Sequence, residues 1–191
     1  MANEILLKVG TQLSFADHAG DFGPAAGTTL EAGGQTDVQM QTASLANAAA
    51  VNSSKADLGA LRAARYSVDA ALEFAATPVS KSTVDFYWSP SPIATAGNGN
   101  PGKPDGVDGA YTGDGAGSIA EGAVLQQMQY IGSFVTSDLP TATGVQVAHV
   151  GIFTPAHRYG QLVIVNNSGI ALHSDDVENH VVFTPIVDEV Q

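Results

Sequence analysis

Apolar and polar side chains alternate with a period of two along much of the chain. The clearest run is YSVDAALEFA (66–75), where Val68, Ala70, Leu72 and Phe74 fall on one face and Ser67, Asp69, Ala71 and Glu73 on the other. After the turn residues Thr77 and Pro78, STVDFYW (82–88) repeats the pattern, with Val84, Phe86 and Trp88 opposite Thr83, Asp85 and Tyr87. The two runs read as an antiparallel pair with one face buried. VQVAHVGIF (145–153), GQLVIV (160–165) and HVVFTPIV (180–187) are rich in the β-branched residues that strands favour. VLQQMQYIGSFV (124–135) alternates only in part. EILLKV (4–9), TQLSF (11–15) and QTDVQMQ (35–41) complete a set of about eight strands.

Helical signals are sparse. ADLGALRAAR (56–65) has room for two turns with Asp57 as a cap, weakened by Gly59, and residues 43–55 read as a small, polar connector. The expectation is an all-β fold, a two-sheet sandwich or jelly roll with a long glycine-rich loop. Residues 1–55 supply N-terminal strands and the connector, packing on their own sandwich or on a neighbour's. Residues 56–191 form the sandwich core and carry the loop at 89–122.

Inside that loop GNGNPG (97–102) matches the G-x-G-x-x-G spacing of dinucleotide-binding turns. That motif works when a strand runs directly into the first glycine and a helix starts at the last, so that pyrophosphate meets the helix N-terminus. Here Pro90 and Pro92 separate Trp88 from Gly97, and Gly102, Pro104, Gly106 and Gly109 follow, so the helix is missing. The glycines therefore serve a loop, one able to order against a neighbouring molecule. Asp105, Asp108 and Asp114 do not have the spacing of a calcium loop.

Composition narrows the function. The net charge is −12, from 19 acidic and 7 basic side chains among 191 residues, which argues against phosphate backbones and anionic membranes as partners. No stretch has the length of a membrane span, and no secretion signal is visible, so synthesis in a cytoplasm is expected. There is no cysteine, which removes disulfides, thiolate metal sites and a thiol nucleophile. Only 14% of residues are charged, against about 25% in ordinary domains, a composition suited to contact with other protein.

Candidate chemistry is limited. HSDDVENH (173–180) gathers His173, Asp175, Asp176, Glu178 and His180, which could ligate a divalent ion in a metal-dependent hydrolase or form an ordinary polar turn; the turn is preferred. No G-x-S-x-G occurs, and His149 shares a strand face with Val145, Val147 and Phe153, as a buried histidine would. No enzymatic activity, cofactor or bound metal is expected. Tyr87 and Tyr111 are candidate stacking platforms for a sugar.

From Trp88 onward the order of parts is YWSPSP, the glycine-rich loop, QQMQYIGSF, FTPAHRYGQLVIVNNSG and VVFTPIVDE. This order, over roughly residues 60–191, resembles small virion structural proteins of tailed bacteriophages, most closely those that decorate or cement the head. The resemblance implies a homotrimer bound to the major capsid protein at many equivalent lattice sites in the virion, and no catalysis. The expected contacts are Asn98, Asn100, Lys103, Asp105 and Tyr111 in the loop, Arg158 and Tyr159 beside a proline turn, and the segment 1–8 if it reaches a neighbour. A tail, collar or fibre component and a carbohydrate- or receptor-binding sandwich are the alternatives.

Overall fold

The alternating runs fold as strands of two sheets in a computed structural model that describes residues 10–18, 24, 27–60, 62–113, 122–138 and 144–186. Among these residues the chain is nearly all β, with eleven strands and one helical turn, α1 (Gly122–Leu125). The first sheet has the order β2 (Thr36–Gln39), β1 (Leu13–Ala16), β11 (His180–Ile186), β5 (Arg65–Glu73), β9 (Val145–Phe153). The second has the order β7 (Gly109–Ala110), β3 (Ala49–Asn52), β10 (Tyr159–Asn167), β6 (Thr83–Ser91), β8 (Gln129–Val135), with β4 (Ala56–Asp57) paired to β10. The sheets pack together as in a β-sandwich. No helix among the described residues is long and apolar enough to cross a membrane.

Inward faces from both sheets meet in one apolar core. At its centre Phe183 of β11 packs against Phe15, Phe153 and Trp88 at ring-centroid distances of 4.6, 5.0 and 5.5 Å. Each fully buried aromatic side chain of this kind contributes about 2–3 kcal/mol by its removal from water. Strand β10 is buried on both faces. Leu162 and Ile164 face the main core, while Val163 and Val165 face a second cluster with Ala50, Tyr111 and Met128. That double burial is why GQLVIV is continuously apolar and does not alternate.

Four expectations change. The runs at 66–75 and 82–88 do not pair with each other: β5 lies between β11 and β9, and β6 between β10 and β8. Alternation records a buried face, and these two faces meet across the core instead of side by side. Among the described residues of 56–65 no helix forms; Ala56 and Asp57 pair with Gly160 and Tyr159, and Gly59 has φ +86°. The connector at 43–55 contains β3, whose Ala50, Val51 and Asn52 are buried beside β10. Finally, β6 continues through Pro90 to Ser91, because β8 pairs only with Thr83–Trp88 and leaves that end of β6 with one partner. The expected strand at 4–9 lies outside the described residues.

The sandwich closes along β8 and β9. Each carries an irregularity: Ile131 is skipped between Phe86↔Gly132 and Tyr87↔Tyr130, and Val150 between Val68↔Gly151 and Asp69↔His149. These extra residues face each other across the gap between sheets. A Cβ on Gly132 would lie 2.1 Å from the Val150 carbonyl oxygen, and one on Gly151 2.7 Å from that of Ile131. Glycine is required at both positions by close backbone approach.

Candidate functional site

The described part of the glycine-rich loop folds back on the outer face of the second sheet. Lys55, just beyond β3, sends its ammonium into the turn after β6. It donates to Thr95 O at 2.7 Å, Asn98 O at 2.8 Å, and Ile93 O and Ser91 Oγ at 3.1 Å. No carboxylate among the described residues takes part, and burial lowers the Lys55 pKa from its usual value. The loop is thus organised around a cation held by oxygen dipoles. Asn52 of β3 donates to Val107 O at 2.6 Å and to Asp105 Oδ1 at 3.2 Å. Gln161 of β10 accepts from Gly106 N at 2.8 Å, and Ser89 of β6 donates to Pro101 O at 2.6 Å.

Two glycines of the loop have a packing reason. Gly106 has φ +80° and its Cβ would lie 2.1 Å from Ala96 O. Gly102 has φ +76° and its Cβ would meet Met128 at 2.6 Å. Both need left-handed backbone and close contact at once. Neither faces a helix terminus.

The expected contact residues divide accordingly. Asn98, Lys103 and Asp105 are exposed on the loop's rim, beside the exposed apolar side chains Ile93 and Val107. Asn100 works inward, donating to Ala96 O at 2.7 Å and Pro104 O at 2.8 Å. Tyr111 is buried, 4% exposed, and donates to Gly102 O at 2.6 Å; burial pushes its phenol pKa up to about 12. It is a core residue of the loop, which corrects its reading as a surface platform or contact. Arg158 makes two 2.7 Å bonds to the Asp57 carboxylate and lies 5.1 Å over the Tyr159 ring. It therefore fastens β4 to the start of β10 and leaves the pair half-exposed. Segment 1–8 lies outside the described residues.

The acidic turn at 173–180 is used by the fold. Asp176 Oδ2 accepts from Thr42 N and Ala43 N, each at 3.0 Å, and Asn179 accepts from Glu73 N at 2.6 Å. His180 is buried; its Nε2 accepts from Leu30 N at 2.9 Å and its Nδ1 donates to Glu178 O at 2.8 Å. Both ring nitrogens are committed to backbone, and burial lowers the imidazole pKa.

His149 is exposed, contrary to the face assigned from alternation, because the extra residue Val150 turns the strand over between His149 and Phe153. Its Nδ1 lies 3.0 Å from Asp69 Oδ1 and 3.4 Å from Ser67 Oγ. Serine and carboxylate share one ring nitrogen, whereas a proton relay needs one on each.

Tyr87 does line a groove, of about 620 Å³, with Asp85, Leu125, Met128 and Tyr130. The Tyr87 and Tyr130 rings are 5.3 Å apart. Ser133 Oγ bonds the Tyr130 hydroxyl and donates to Asp85 Oδ1 at 2.5 Å, and Asn167 donates to Asp85 Oδ2 at 2.9 Å. Burial, then Asp85 and Tyr130, raise the Tyr87 pKa. Tyr130 was missed in the sequence because its run alternates imperfectly around Ile131.

Large apolar side chains also remain in solvent, and of the seven among the described residues four, Tyr130, Val135, Val147 and Ile152, lie on the edge strands β8 and β9. No family model, curated protein or solved structure matches this chain.

Proposed function

We propose that this chain is a non-enzymatic structural protein of a tailed-phage virion, a decoration or cement protein that binds and stabilises the head lattice. The carrying observation is the apolar edge formed by β8 and β9. Sheet edges in free monomers are guarded by charge or proline, whereas here β-branched side chains stand in solvent beside the closure. Burial against another subunit answers that exposure, and the rim of the loop, with Asn98, Lys103, Asp105, Ile93 and Val107, offers a second contact patch. Strand order supports a jelly roll, an architecture used in viral shells. The first and last strands, β1 and β11, are neighbours within one sheet, and the chain crosses between sheets at six of the ten connections between successive strands.

A trimer with interfaces of about 1,600 Å² fits the reading, and repeated lattice sites compensate for weak single contacts. The test is native mass spectrometry of the full chain, together with binding to heads of the source phage lacking it. A trimer that decorates heads, and a folded Val147→Asp/Ile152→Asp variant that does neither, are expected. A wild-type monomer that leaves heads bare would overturn the proposal. A handful of copies per particle would move it to the tail.

The Tyr87–Tyr130 groove favours a second reading, a glycan-binding sandwich, since paired rings beside a fixed carboxylate suit a sugar face and its hydroxyls. Glycan-array binding lost in Tyr130→Ala would select it.

A further inference from the structure

Six buried side-chain polar atoms have no hydrogen-bond partner among the described residues, and three of them, Ser14 Oγ, Glu31 Oε1 and Gln35 Oε1, fall in one region. A buried polar atom left without a partner is costly, so three together mark a place where something else is meant to bind.

The region lies on the outer face of the first sheet. Leu13 and Phe15 enter the core, so Ser14 points outward, and it is nonetheless 0% exposed. Parallel pairing sets Asp37 beside it (Ser14↔Asp37), with Val38 turned to the core. The segment before β2 lies over this face. Gln12 holds it at both ends, accepting from Ala32 N at 2.9 Å and donating to Leu30 O at 3.2 Å, while His180 accepts from Leu30 N. This segment carries Glu31 to the sheet. His18, just after β1, turns back so that Nε2 donates to Ser14 O at 3.2 Å and Nδ1 lies 3.9 Å from Asp37 Oδ2. One nitrogen of His18 and one carboxylate oxygen from each of Glu31 and Asp37 all lie within 4.8 Å of one another.

We infer that His18, Glu31 and Asp37 bind a divalent transition-metal ion, with zinc as the reference, that fastens the segment before β2 to the sheet. One imidazole and two carboxylates match the ligand preference of such ions. The surroundings also match: a ligand histidine donates its other N–H to a backbone carbonyl, as His18 does to Ser14, and a ligand carboxylate is held by an amide, as Gln35 Nε2 holds Asp37 Oδ1 at 3.2 Å. Bonds of about 2.0–2.2 Å to the ion require the three donors to draw together by roughly an ångström, within reach of side-chain rotation. In a chain without cysteine, such an ion is a staple of the kind a disulfide supplies elsewhere. Its three ligands are none of the residues singled out in the acidic turn at 173–180, although His180 of that turn adjoins the site through Leu30 N.

The test uses the full chain, stripped with a chelator and titrated with Zn²⁺ by calorimetry and with Co²⁺ by visible absorption. The expected result is one equivalent bound, a Co²⁺ ligand-field band, and a rise in melting temperature with Zn²⁺. His18→Ala and Asp37→Asn should each weaken binding roughly tenfold or more and abolish the rise. Asp37 is exposed, so Asp37→Asn keeps the fold and carries the test if His18→Ala misfolds. His149→Ala, at the exposed His149–Asp69 pair, should bind as the wild type does. Absence of binding at molar excess of metal, binding unchanged in Asp37→Asn, or binding lost only in His149→Ala would each overturn the inference.

Discussion

Replacing Lys55 with methionine keeps the aliphatic stem and removes the charge that gathers the turn after β6. The ammonium has three N–H groups and four oxygen acceptors within 3.1 Å, so about three full bonds are at stake. A hydrogen bond to a charged group contributes about 1.5–3 kcal/mol net. Water reaches three of the four acceptors, so the lower end applies, less the rehydration of the freed carbonyls, and the loss comes to about 3 kcal/mol. Because Asn52, Gln161 and Ser89 hold the rest of the loop separately, the opening should be local. Amide exchange over the turn at 93–98, including the Asn98 N–H bonded to Thr95 O, should therefore accelerate roughly a hundredfold, at 1.36 kcal/mol per tenfold, while the Gly106 N–H held by Gln161 should change little. Exchange in β10 and β11 should change little. Lys55→Arg should recover only part of the protection, because a planar guanidinium cannot direct its donors at four oxygens around one point. If Lys55→Met leaves loop exchange within about threefold of wild type, the ammonium does not organise the loop and the reasoning fails.

Two further outcomes follow from close packing and from burial. Gly132→Ala sets a Cβ 2.1 Å from the Val150 carbonyl at the β8–β9 closure and should destabilise by about 3 kcal/mol, a melting-temperature drop of roughly 6–12 °C. Gly27→Ala, with nothing within 4 Å, should leave the melting temperature unchanged or slightly higher, and equal effects at the two sites would refute the close-approach account. His180 should make the fold acid-sensitive. Burial chiefly lowers its pKa, with His18 adding to this and the backbone bond, Glu31 and Glu178 opposing it, so below about pH 6.5 the unfolded chain takes up a proton that the native state refuses. Its contribution is complete above pH 6.5 and falls as the pH drops toward the lowered native value. Melting at pH 7.5 and 5.5 should show this loss in the wild type and a smaller one in His180→Gln; identical pH dependence would refute it.

Much of the fold is visible in the sequence, for particular reasons. Val68, Ala70, Leu72 and Phe74, like Val84, Phe86 and Trp88, are buried where period two places them, because sinking one face of a strand is settled residue by residue. The same rule fails at His149, where the extra residue Val150 inverts the face and nothing in VQVAHVGIF announces the insertion. β3 was hidden because Ala50 and Asn52 are small or polar: one fits beneath Tyr111, and the other is buried to hold the loop. Of the candidate contact residues, Asn98, Lys103 and Asp105 stay at the surface as read, while Tyr111 is drawn inward by a second core that no local pattern encodes.

The sequence by itself determined that this chain makes strands with one buried face, that its glycine motif opens no nucleotide-binding helix, and that its net charge is −12. Those conclusions rest on side-chain period, backbone restriction by proline and glycine, and a count of charged side chains, all of which act locally or by simple sum. Only the tertiary structure decided that β5 and β6 face each other across the core, that a lone lysine gathers the loop, and that His18, Glu31 and Asp37 meet. Each of these depends on which distant segments the topology makes neighbours, and a linear pattern carries the burial of a face without naming what covers it.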